Sequence, residues 1–216
     1  MEENQVQLST YLKEATRSVH NEAETSDFQR QLGTGSVSLE AYKSYLSQLY
    51  LVHNALERGL AASSETNEIA TPWQFQTDFL DRDLKALDVN IGDIQPFTAT
   101  SELLFRIEQN SRSNPLALLG YHYVVFGSKH GGKYIAVQIR KKFGFEGEGC
   151  LYFDPYGTNF QTHWLEFRAG LDKVSTSQAS AAVVLEAAKE MFQYFGKLGL
   201  ELDHLSPVDA QSSTVT

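Results

Sequence analysis

Residues 114–144 read NPLALLGYHYVVFGSKHGGKYIAVQIRKKFG. Apolar residues recur in this segment at the three- and four-residue spacing of an α-helix, and Asn114-Pro115 supplies a capping residue followed by a proline at the first helical position. Before the segment ends at Gly144 it contains four other glycines: Gly120, Gly127, Gly131 and Gly132. Each costs about 1 kcal/mol relative to alanine in a helix interior, so roughly 4 kcal/mol of helix preference is lost. We therefore predict one long helix whose glycines serve a second purpose.

That purpose is either close packing against another helix or the approach of a ligand. At 100° per residue, one side of the helix carries Gly120, Val124, Gly127 and Gly131. Such a smooth strip lets a flat ligand or another backbone come close, and it is a place where a helix can bend. Tight packing explains any single glycine. The Gly131-Gly132 pair beside His130 favours a ligand or a functional bend.

The rest of the chain also has helical periodicity, and we predict an all-α protein of about seven helices. Ser9 or Thr10 is expected to cap a first helix whose apolar stripe is Leu8, Leu12, Ala15, Val19 and Ala23. Ser38 is expected to cap a second helix whose inward side is Tyr42, Tyr45, Leu49, Val52 and Leu56. Further helices are predicted at 73–87, 98–109, 159–173 and 177–200, with a glycine-rich loop at 146–158. Residues 1–205 are expected to form one domain, followed by a polar tail at 206–216.

Composition limits the classes of function. The chain has 216 residues, of which 42% are hydrophobic, and a formal charge of −9, which argues against nucleic acid or an anionic membrane as the main partner. It has no apolar stretch of the roughly 20 residues that span a bilayer and no signal-peptide pattern. The single Cys150 cannot form an intramolecular disulfide. These features predict a cytoplasmic protein.

His20 is the strongest metal-ligand candidate. It lies one turn after Thr16 and one turn before Glu24, at the border of the apolar stripe, where a half-buried imidazole can bind a metal through one nitrogen. A structural role is the alternative at such a position. A di-iron bundle would need two Glu-x-x-His pairs, and only Glu201 and His204 form one. Zinc-protease, phosphate-loop and nucleophile-elbow motifs are absent from the sequence.

A local excess of basic residues follows the glycines. Between Glu108 and Glu146 no acidic residue occurs, while the segment contains Lys129, Lys133, Arg140, Lys141 and Lys142. With Lys13 and Arg17 of the first helix, this positive surface is suited to the carboxylates of an anionic ligand or to an acidic protein partner. The alternative is an ordinary solvated helix face.

Residues 12–24, LKEATRSVHNEAE, closely resemble the proximal helix of heme oxygenases. Residues 40–43, 49–50 and 55–57 look like that family's second helix, and GSKHGG at 127–132 falls where its kinked distal helix is rich in glycine. A weaker likeness reaches Ala188, Lys189 and Phe192, so the resemblance spans about residues 6 to 200. It implies a heme oxygenase-like helical bundle with heme between the first helix and the kinked distal helix.

The resemblance also implies roles for individual residues. His20 matches the axial ligand of the heme iron, Glu24 its partner, Lys13 a residue that pairs with a heme propionate, and Tyr50 a residue of the distal hydrogen-bond network. Heme contacts are expected from Lys13, Thr16, Glu24, Tyr50, Gly127, Gly131, Gly132 and Phe192. The distal chemistry is expected at Ser128, with Gly127 and Gly131, because glycine lets the helix backbone approach the porphyrin.

The reaction implied by the resemblance uses heme b as both cofactor and substrate. O2 and electrons from a donor such as a ferredoxin or a reductase open the ring at a meso carbon, giving biliverdin, carbon monoxide and ferrous iron. A neutral histidine ligand suits this chemistry because a thiolate would favour O–O cleavage. A monomeric protein of the bacterial, biliverdin-producing type is expected.

The sequence departs from the animal pattern at the distal side. Ser128 stands where that pattern has a catalytic aspartate, and Val124 and Phe195 stand in place of an arginine and an asparagine. Some bacterial members carry Gly-Ser here, so Ser128, His130 or backbone carbonyls are expected to organise the distal water. In one alternative His130 binds the iron. In others the chain is a non-catalytic heme carrier, store or sensor, or a thiaminase-like or di-iron enzyme of the same fold without heme.

Overall fold

The computed structural model describes residues 7–174 and 177–205, and within them the regular structure is helical, as predicted. The α-helices are α1 Leu8–Ala15, α2 Arg17–Glu24, α3 Asp27–Thr34, α4 Leu39–Ala62, α5 Thr77–Ala86, α6 Thr98–Ser113, α7 Ala117–Gly127, α8 Lys129–Phe143, α9 Phe160–Lys173 and α10 Gln178–Asp203. Short 3-10 turns lie at Pro72–Gln74, Ile91–Asp93, Leu151–Phe153 and Gly157–Asn159. The tail predicted at 206–216 lies outside the described residues. None of the described helices is long and apolar enough to cross a bilayer.

The first predicted helix is in fact three helices, α1 to α3. Ser9 does not cap α1, because its backbone N–H and its hydroxyl both donate to the Asp172 carboxylate of α9, each at 2.8 Å. At Thr16 the helix breaks, and the hydroxyl of this residue donates to the Leu12 carbonyl at 2.7 Å. Ser26 then caps α3 by accepting the Gln29 N–H. The local bonds of Thr16 and Ser26 therefore accompany the division into three helices, while Ser9 is held by a distant carboxylate.

The second predicted helix is confirmed as α4. The Ser38 hydroxyl accepts the Ala41 N–H at 3.1 Å, which satisfies one of the free donors at the helix N-terminus. All five side chains expected on its inward side are buried: Tyr42, Tyr45, Leu49, Val52 and Leu56. The last helix begins in the same way, since Ser177 caps α10.

The glycine-rich segment forms two helices rather than one. Asn114-Pro115 lie in a turn before α7, and the break between α7 and α8 falls at Ser128. The Ser128 backbone keeps right-handed helical angles, φ −58° and ψ −19°, so α7 and α8 are the two arms of a bent helix. The bend expected near the glycines is present, and it divides the one long helix that periodicity predicts into two. The bend lies at the Gly127-Ser128 step.

Helix α10 is the main support of the site. It packs against α7, and a Cβ on Gly120 would come within 2.0 Å of the Val184 carbonyl oxygen, so the close approach of α7 and α10 requires this glycine. Helix α2 also packs against α10, and both α2 and α8 pack against α3. Shared neighbours thus hold α2 in a fixed position relative to the bent α7–α8 pair.

Candidate functional site

We infer a solvent-exposed gap between α2 and the α7–α8 bend from one contact between them and from the exposure of the residues beyond it. Thr16, buried at the junction of α1 and α2, lies close enough to the Tyr123 hydroxyl of α7 to offset part of the rise that burial causes in the pKa of Tyr123. His20 and Gly127 each lie one helical turn, about 6 Å, further along their helices. Beyond this contact His20 on α2 and Ser128 at the bend are both exposed to solvent. Helix α2 therefore does not bury Ser128, and the bend does not bury His20. We call this space the α2–α8 gap.

The His20 imidazole lies on the α2 side of the gap. The half burial expected for it is wrong, because α2 packs against α3 and α10 and leaves the His20 side open to solvent. Its ring meets the Phe192 ring of α10 edge to face, with the ring centroids 5.5 Å apart. Two residues expected near the ligand are therefore together here. The Glu24 side chain lies outside the described part of the structure.

Glycines line the opposite side unequally. A Cβ added to Gly131 would meet nothing within 4 Å, whereas one on Gly127 would lie 3.3 Å from the Trp164 ring. Gly132, expected to contact heme, faces the interior, where a Cβ would come within 2.0 Å of the Phe153 carbonyl oxygen. Gly131 is therefore the glycine that leaves open space beside α8. Gly132 permits close packing of the 151–153 turn.

Ser128 is backed by a buried chain of hydrogen bonds. Its hydroxyl donates to the Val125 carbonyl at 2.8 Å and is close enough to the Tyr152 hydroxyl to offset part of the rise that burial causes in the pKa of Tyr152. The Tyr152 hydroxyl lies 3.3 Å from Nε2 of His53, and Nδ1 of His53 lies 3.0 Å from Oε1 of Glu57. Tyr152 is 2% exposed. We call Glu57, His53 and Tyr152 the buried triad.

The two ionisable members of the triad on α4 have lowered pKa values for different reasons. Burial lowers the pKa of His53, although the Glu57 carboxylate opposes this effect. Burial by itself would raise the pKa of Glu57, but hydrogen bonds from His53, the Gln76 N–H and Thr77 outweigh it and lower the value. Near neutral pH His53 is therefore neutral and Glu57 is ionised.

Lys129 does not belong to the positive surface predicted for it. Its side chain is buried, and Nζ lies 3.0 Å from the centroid of the Tyr152 ring. Within the described residues Nζ has no hydrogen-bond partner, and burial lowers its pKa far below the ordinary lysine value. The exposed cations are Lys133, Lys141 and Lys142, with Arg140 half-buried.

Asp83 holds the turn that carries Tyr152. This fully buried carboxylate accepts the backbone N–H groups of Gly149, Leu151 and Tyr152, each at 2.8 Å. Burial nevertheless raises its pKa. Asp83 lies on α5 and the turn lies 66 to 69 residues later in the chain. No local pattern in the sequence indicates this contact.

Cations surround the Thr16 end of the gap. Lys13 and Arg17 are exposed on α1 and α2, and Arg168 of α9 donates to the Ser9 hydroxyl at 3.2 Å. The charge of Arg168 also acts on Tyr123, the partner of Thr16. Arg168 was missed by sequence reasoning because its nearest partner is 159 residues away. These cations suit a ligand with carboxylates at its edge.

Other expected site residues lie elsewhere. Tyr50 is half-buried near Lys85 of α5, and the α4 side chain that reaches the partner of Ser128 is His53. Val124 and Phe195 are buried and apolar. His130 is exposed, with Nδ1 2.8 Å from the Gly127 carbonyl oxygen and its ring edge-on to aromatic rings of α9: Phe160 and Trp164.

The gap has the features required by heme. An imidazole stands on one side, a helix backbone without a side chain on the other, and an aromatic ring and cations at the borders. A planar ring with a central iron and two carboxylates matches this arrangement. His53 and Glu57 are the residues that sequence reasoning missed, and their spacing of four residues on a helix was the signal available.

Comparison with known proteins identifies relatives of this chain. The heme oxygenase family model matches residues 6–201. The heme oxygenase of Guillardia theta is 30% identical over 207 residues, covering 91% of this chain and 86% of that protein. Heme oxygenase 1 of Gallus gallus is 27% identical over 196 residues, covering 86% of this chain and 66% of that protein.

Solved structures show the same fold. Heme oxygenase-2 from Synechocystis sp. PCC 6803, in complex with heme and NO, superposes with a TM-score of 0.87 at 24% identity, covering 93% of this chain and 86% of that one. At this identity the likeness concerns the fold alone. The match of the family model over nearly the whole chain identifies the family, and the chain belongs to the heme oxygenase family.

Proposed function

We propose that this chain is an active heme oxygenase that opens heme b at a meso carbon, using O2 and external electrons, and releases biliverdin, carbon monoxide and ferrous iron. The observation that carries the proposal is the α2–α8 gap, with His20 on one side and the open backbone at Gly131 on the other. The acidic composition and the single Cys150 support a monomeric protein of the cytoplasm.

Within this proposal each residue at the gap has a defined task. The His20 imidazole binds the iron, Phe192 packs against its ring, and Glu24 on the same helix orients it. Lys13 and Arg168 hold the propionates, which fixes the orientation of the porphyrin in the gap. Bound heme supplies the iron at which O2 is reduced and the ring that is cleaved.

The distal side of the gap limits which groups approach the reacting centre. Gly131 presents backbone there, so no side chain fills the space. The Ser128 hydroxyl is the exposed polar side-chain group at the bend, and it can hold a water molecule by hydrogen bonds. The buried, apolar Val124 and Phe195 offer no polar group to that water.

The test of the proposal is turnover of heme. The protein is mixed with hemin, oxygen and ascorbate, and absorption spectra are recorded over time while released carbon monoxide is trapped by a ferrous globin. We expect the Soret band to fall as biliverdin absorption rises and carbon monoxide appears. A stable heme complex that yields neither product with ample reductant and oxygen contradicts the proposal and describes a carrier or sensor.

Replacing Ser128 with alanine should slow biliverdin formation by roughly ten- to a hundredfold, because losing one organised hydrogen bond costs about 1–3 kcal/mol. Heme affinity should stay near the wild-type value. Ser113→Ala is the matched control, since Ser113 is also exposed and donates to a carbonyl of its own helix, that of Gln109 at 2.9 Å. Equal rates for the two variants in a single-turnover assay would show that Ser128 has no distal role.

The basic residues of α8 are proposed to receive an acidic electron donor such as a ferredoxin. We define the basic patch as Lys133, Arg140, Lys141 and Lys142. Exposed charges are screened beyond about 8 Å at physiological salt, so ferredoxin-driven turnover should slow steeply as salt rises, while ascorbate-driven turnover should change little.

The double variant Lys141→Glu, Lys142→Glu should weaken the salt dependence and slow only the ferredoxin-driven reaction. Lys173→Glu alters an exposed lysine of α9 outside the basic patch and serves as the control. Equal salt sensitivity with both reductants in steady-state assays would exclude docking at the basic patch.

A further inference from the structure

A row of aromatic rings leads from the α7–α8 bend to the surface of the protein. Trp164 of α9 lies directly behind the bend, because a Cβ on Gly127 would come within 3.3 Å of its ring. The ring centroid of Trp164 is 6.0 Å from that of Phe126, which in turn is 6.1 Å from that of Trp73. We call Trp164, Phe126 and Trp73 the aromatic row.

The two ends of the aromatic row differ in their access to solvent. Trp164 is 9% exposed and Phe126 is fully buried, whereas Trp73, in the 72–74 turn, is 41% exposed. The chain contains two tryptophans, and both belong to the row. Core packing accounts for the two enclosed rings, but it does not by itself place an indole at the surface end. The row therefore connects the bend with solvent through an indole at each end.

The two indoles are close enough to exchange an electron. Both lie about 6 Å from the Phe126 ring, so their centroids are at most about 12 Å apart. Electron tunnelling between aromatic groups at such a separation is fast compared with enzyme turnover. The Phe126 ring fills the space between the indoles and excludes water from it.

The phenols beside the row are less suited to carry an oxidising equivalent. The ring of Tyr123 lies 5.4 Å from that of Trp164, and the ring of Tyr156 lies 5.8 Å from that of Phe126. An oxidised phenol must lose its proton, and burial raises the pKa of both hydroxyls. The Tyr156 hydroxyl donates to the Trp73 carbonyl at 3.2 Å, which is a poor base. An indole can lose an electron before its proton leaves, which favours the two tryptophans.

We propose that the aromatic row is an escape path for oxidising equivalents, which carries them from the α2–α8 gap to reductants in solution when hydrogen peroxide reacts at the gap. This inference rests on the proposed function, because the peroxide reacts with heme bound there. Hydrogen peroxide is the two-electron reduction product of O2, so a site that reduces O2 is exposed to it. The path would spare the side chains of the gap, such as His20, from oxidation.

Each passage along the row moves one electron. Trp164 gives an electron to the peroxide-oxidised site, and Trp73 gives one to Trp164. The exposed Trp73 releases its indole proton to water, and an ascorbate anion then returns one electron and one proton to it. Two passages reduce one hydrogen peroxide to two waters. The two electrons and two protons come from two ascorbate anions, which become ascorbyl radicals.

Trapping of the radical tests the proposal. Hemin-loaded protein is treated with hydrogen peroxide and a nitroso spin trap, and the modified residue is located by mass spectrometry of its peptides. We expect the adduct on Trp73. Trp164→Phe should lose most of it, because a phenylalanine ring is much harder to oxidise than an indole. Tyr194→Phe is the control, since Tyr194 is also buried and its ring packs against Phe195, outside the row.

A second measurement identifies the type of radical. In freeze-quenched samples, ring-deuterated tryptophan should narrow the EPR signal, whereas ring-deuterated tyrosine should leave it unchanged. Trp73→Phe alters an exposed ring and should leave the fold intact. In this variant the radical stays on the buried Trp164, so with ascorbate present it should decay more slowly than in the wild-type protein.

The outcomes separate the two proposals, because trapping requires bound hemin but no formation of biliverdin. If hemin binds and no biliverdin forms, the proposed function fails, while a Trp73 adduct that depends on Trp164 still supports the path. If the wild-type protein turns over and Trp164→Phe gives as much Trp73 adduct as Tyr194→Phe, the path alone is overturned. An equal adduct in heme-free protein, or an EPR signal that only tyrosine deuteration narrows, also overturns it.

Discussion

His20→Ala should abolish the histidine signature of the ferrous heme complex and slow biliverdin formation by more than about 100-fold, since changes even to partners of a metal ligand cost 10–100-fold. The reason is the position of His20 at the α2–α8 gap, where the imidazole is the group proposed to bind iron. The fold should be little affected. An exposed side chain contributes within about 0.5 kcal/mol, and the described ring contact of His20 is with Phe192.

Absorption and resonance Raman spectra of the ferrous complex report the axial ligand. Added imidazole should restore the signature in His20→Ala, because a free ring can enter the space left by the side chain. His130→Ala is the control, since the His130 ring packs against α9. If His130→Ala removes the signature and His20→Ala keeps it, the ligand assignment is reversed.

The neighbouring glycines Gly131 and Gly132 should respond to alanine in opposite ways. A methyl group on Gly132 would lie 2.0 Å from the Phe153 carbonyl oxygen, and such overpacking costs about 1–3 kcal/mol or more. Gly132→Ala should therefore lower the melting temperature by about 5 °C or more. At Gly131 the methyl group meets nothing within 4 Å, so the better helix propensity of alanine should raise stability by up to about 1 kcal/mol.

The two variants should rank in the opposite order when heme affinity is compared instead of stability. The proposed function puts the Gly131 methyl group against bound heme, so heme affinity should fall by about tenfold, as expected for an overpacked contact. Folded Gly132→Ala protein, measured well below its melting temperature, should bind heme more tightly than Gly131→Ala. Thermal unfolding and Soret titration measure the two effects separately. Unchanged heme affinity in Gly131→Ala would mean that the ligand does not approach this part of α8.

Features of the fold that depend on residues adjacent in the sequence could be predicted. Features that depend on contacts between residues far apart in the sequence could not. Helix α4 follows from the Ser38 cap and an apolar period that its own residues define. That Ser9 does not cap α1 could not be predicted, because the acceptor of its hydroxyl, Asp172, lies 163 residues later. Lys129 was predicted to be an exposed cation because the residue that it contacts in the fold is also distant in the sequence. Tyr152, which covers it, lies on a separate turn.

The functional site also combines residues that the sequence indicates with residues whose placement depends on distant contacts. The resemblance over residues 12–24 indicates His20, and the spacing of the glycines indicates the bend. Periodicity cannot tell that Gly131 faces open space while Gly132 meets a carbonyl oxygen, because adjacent positions on a helix face different neighbours. No motif distinguishes His53 from the other histidines of the sequence, and its contacts depend on two partners that meet only in the folded chain.

The Asp83 carboxylate has a consequence for the order of folding events. Its bond to the Tyr152 N–H closes a loop of 69 residues, which costs about 4 kcal/mol of chain entropy before any contact offsets it. Helices α2 and α8 need only local contacts to begin forming, whereas the turn at 149–152 must wait for this long-range encounter. The polar line behind Ser128 is thus completed late. Helices α2 and α8 can each form before that turn, but their placement on the two sides of the gap waits for still longer-range contacts, those of α2 with α10 and of α8 with α3.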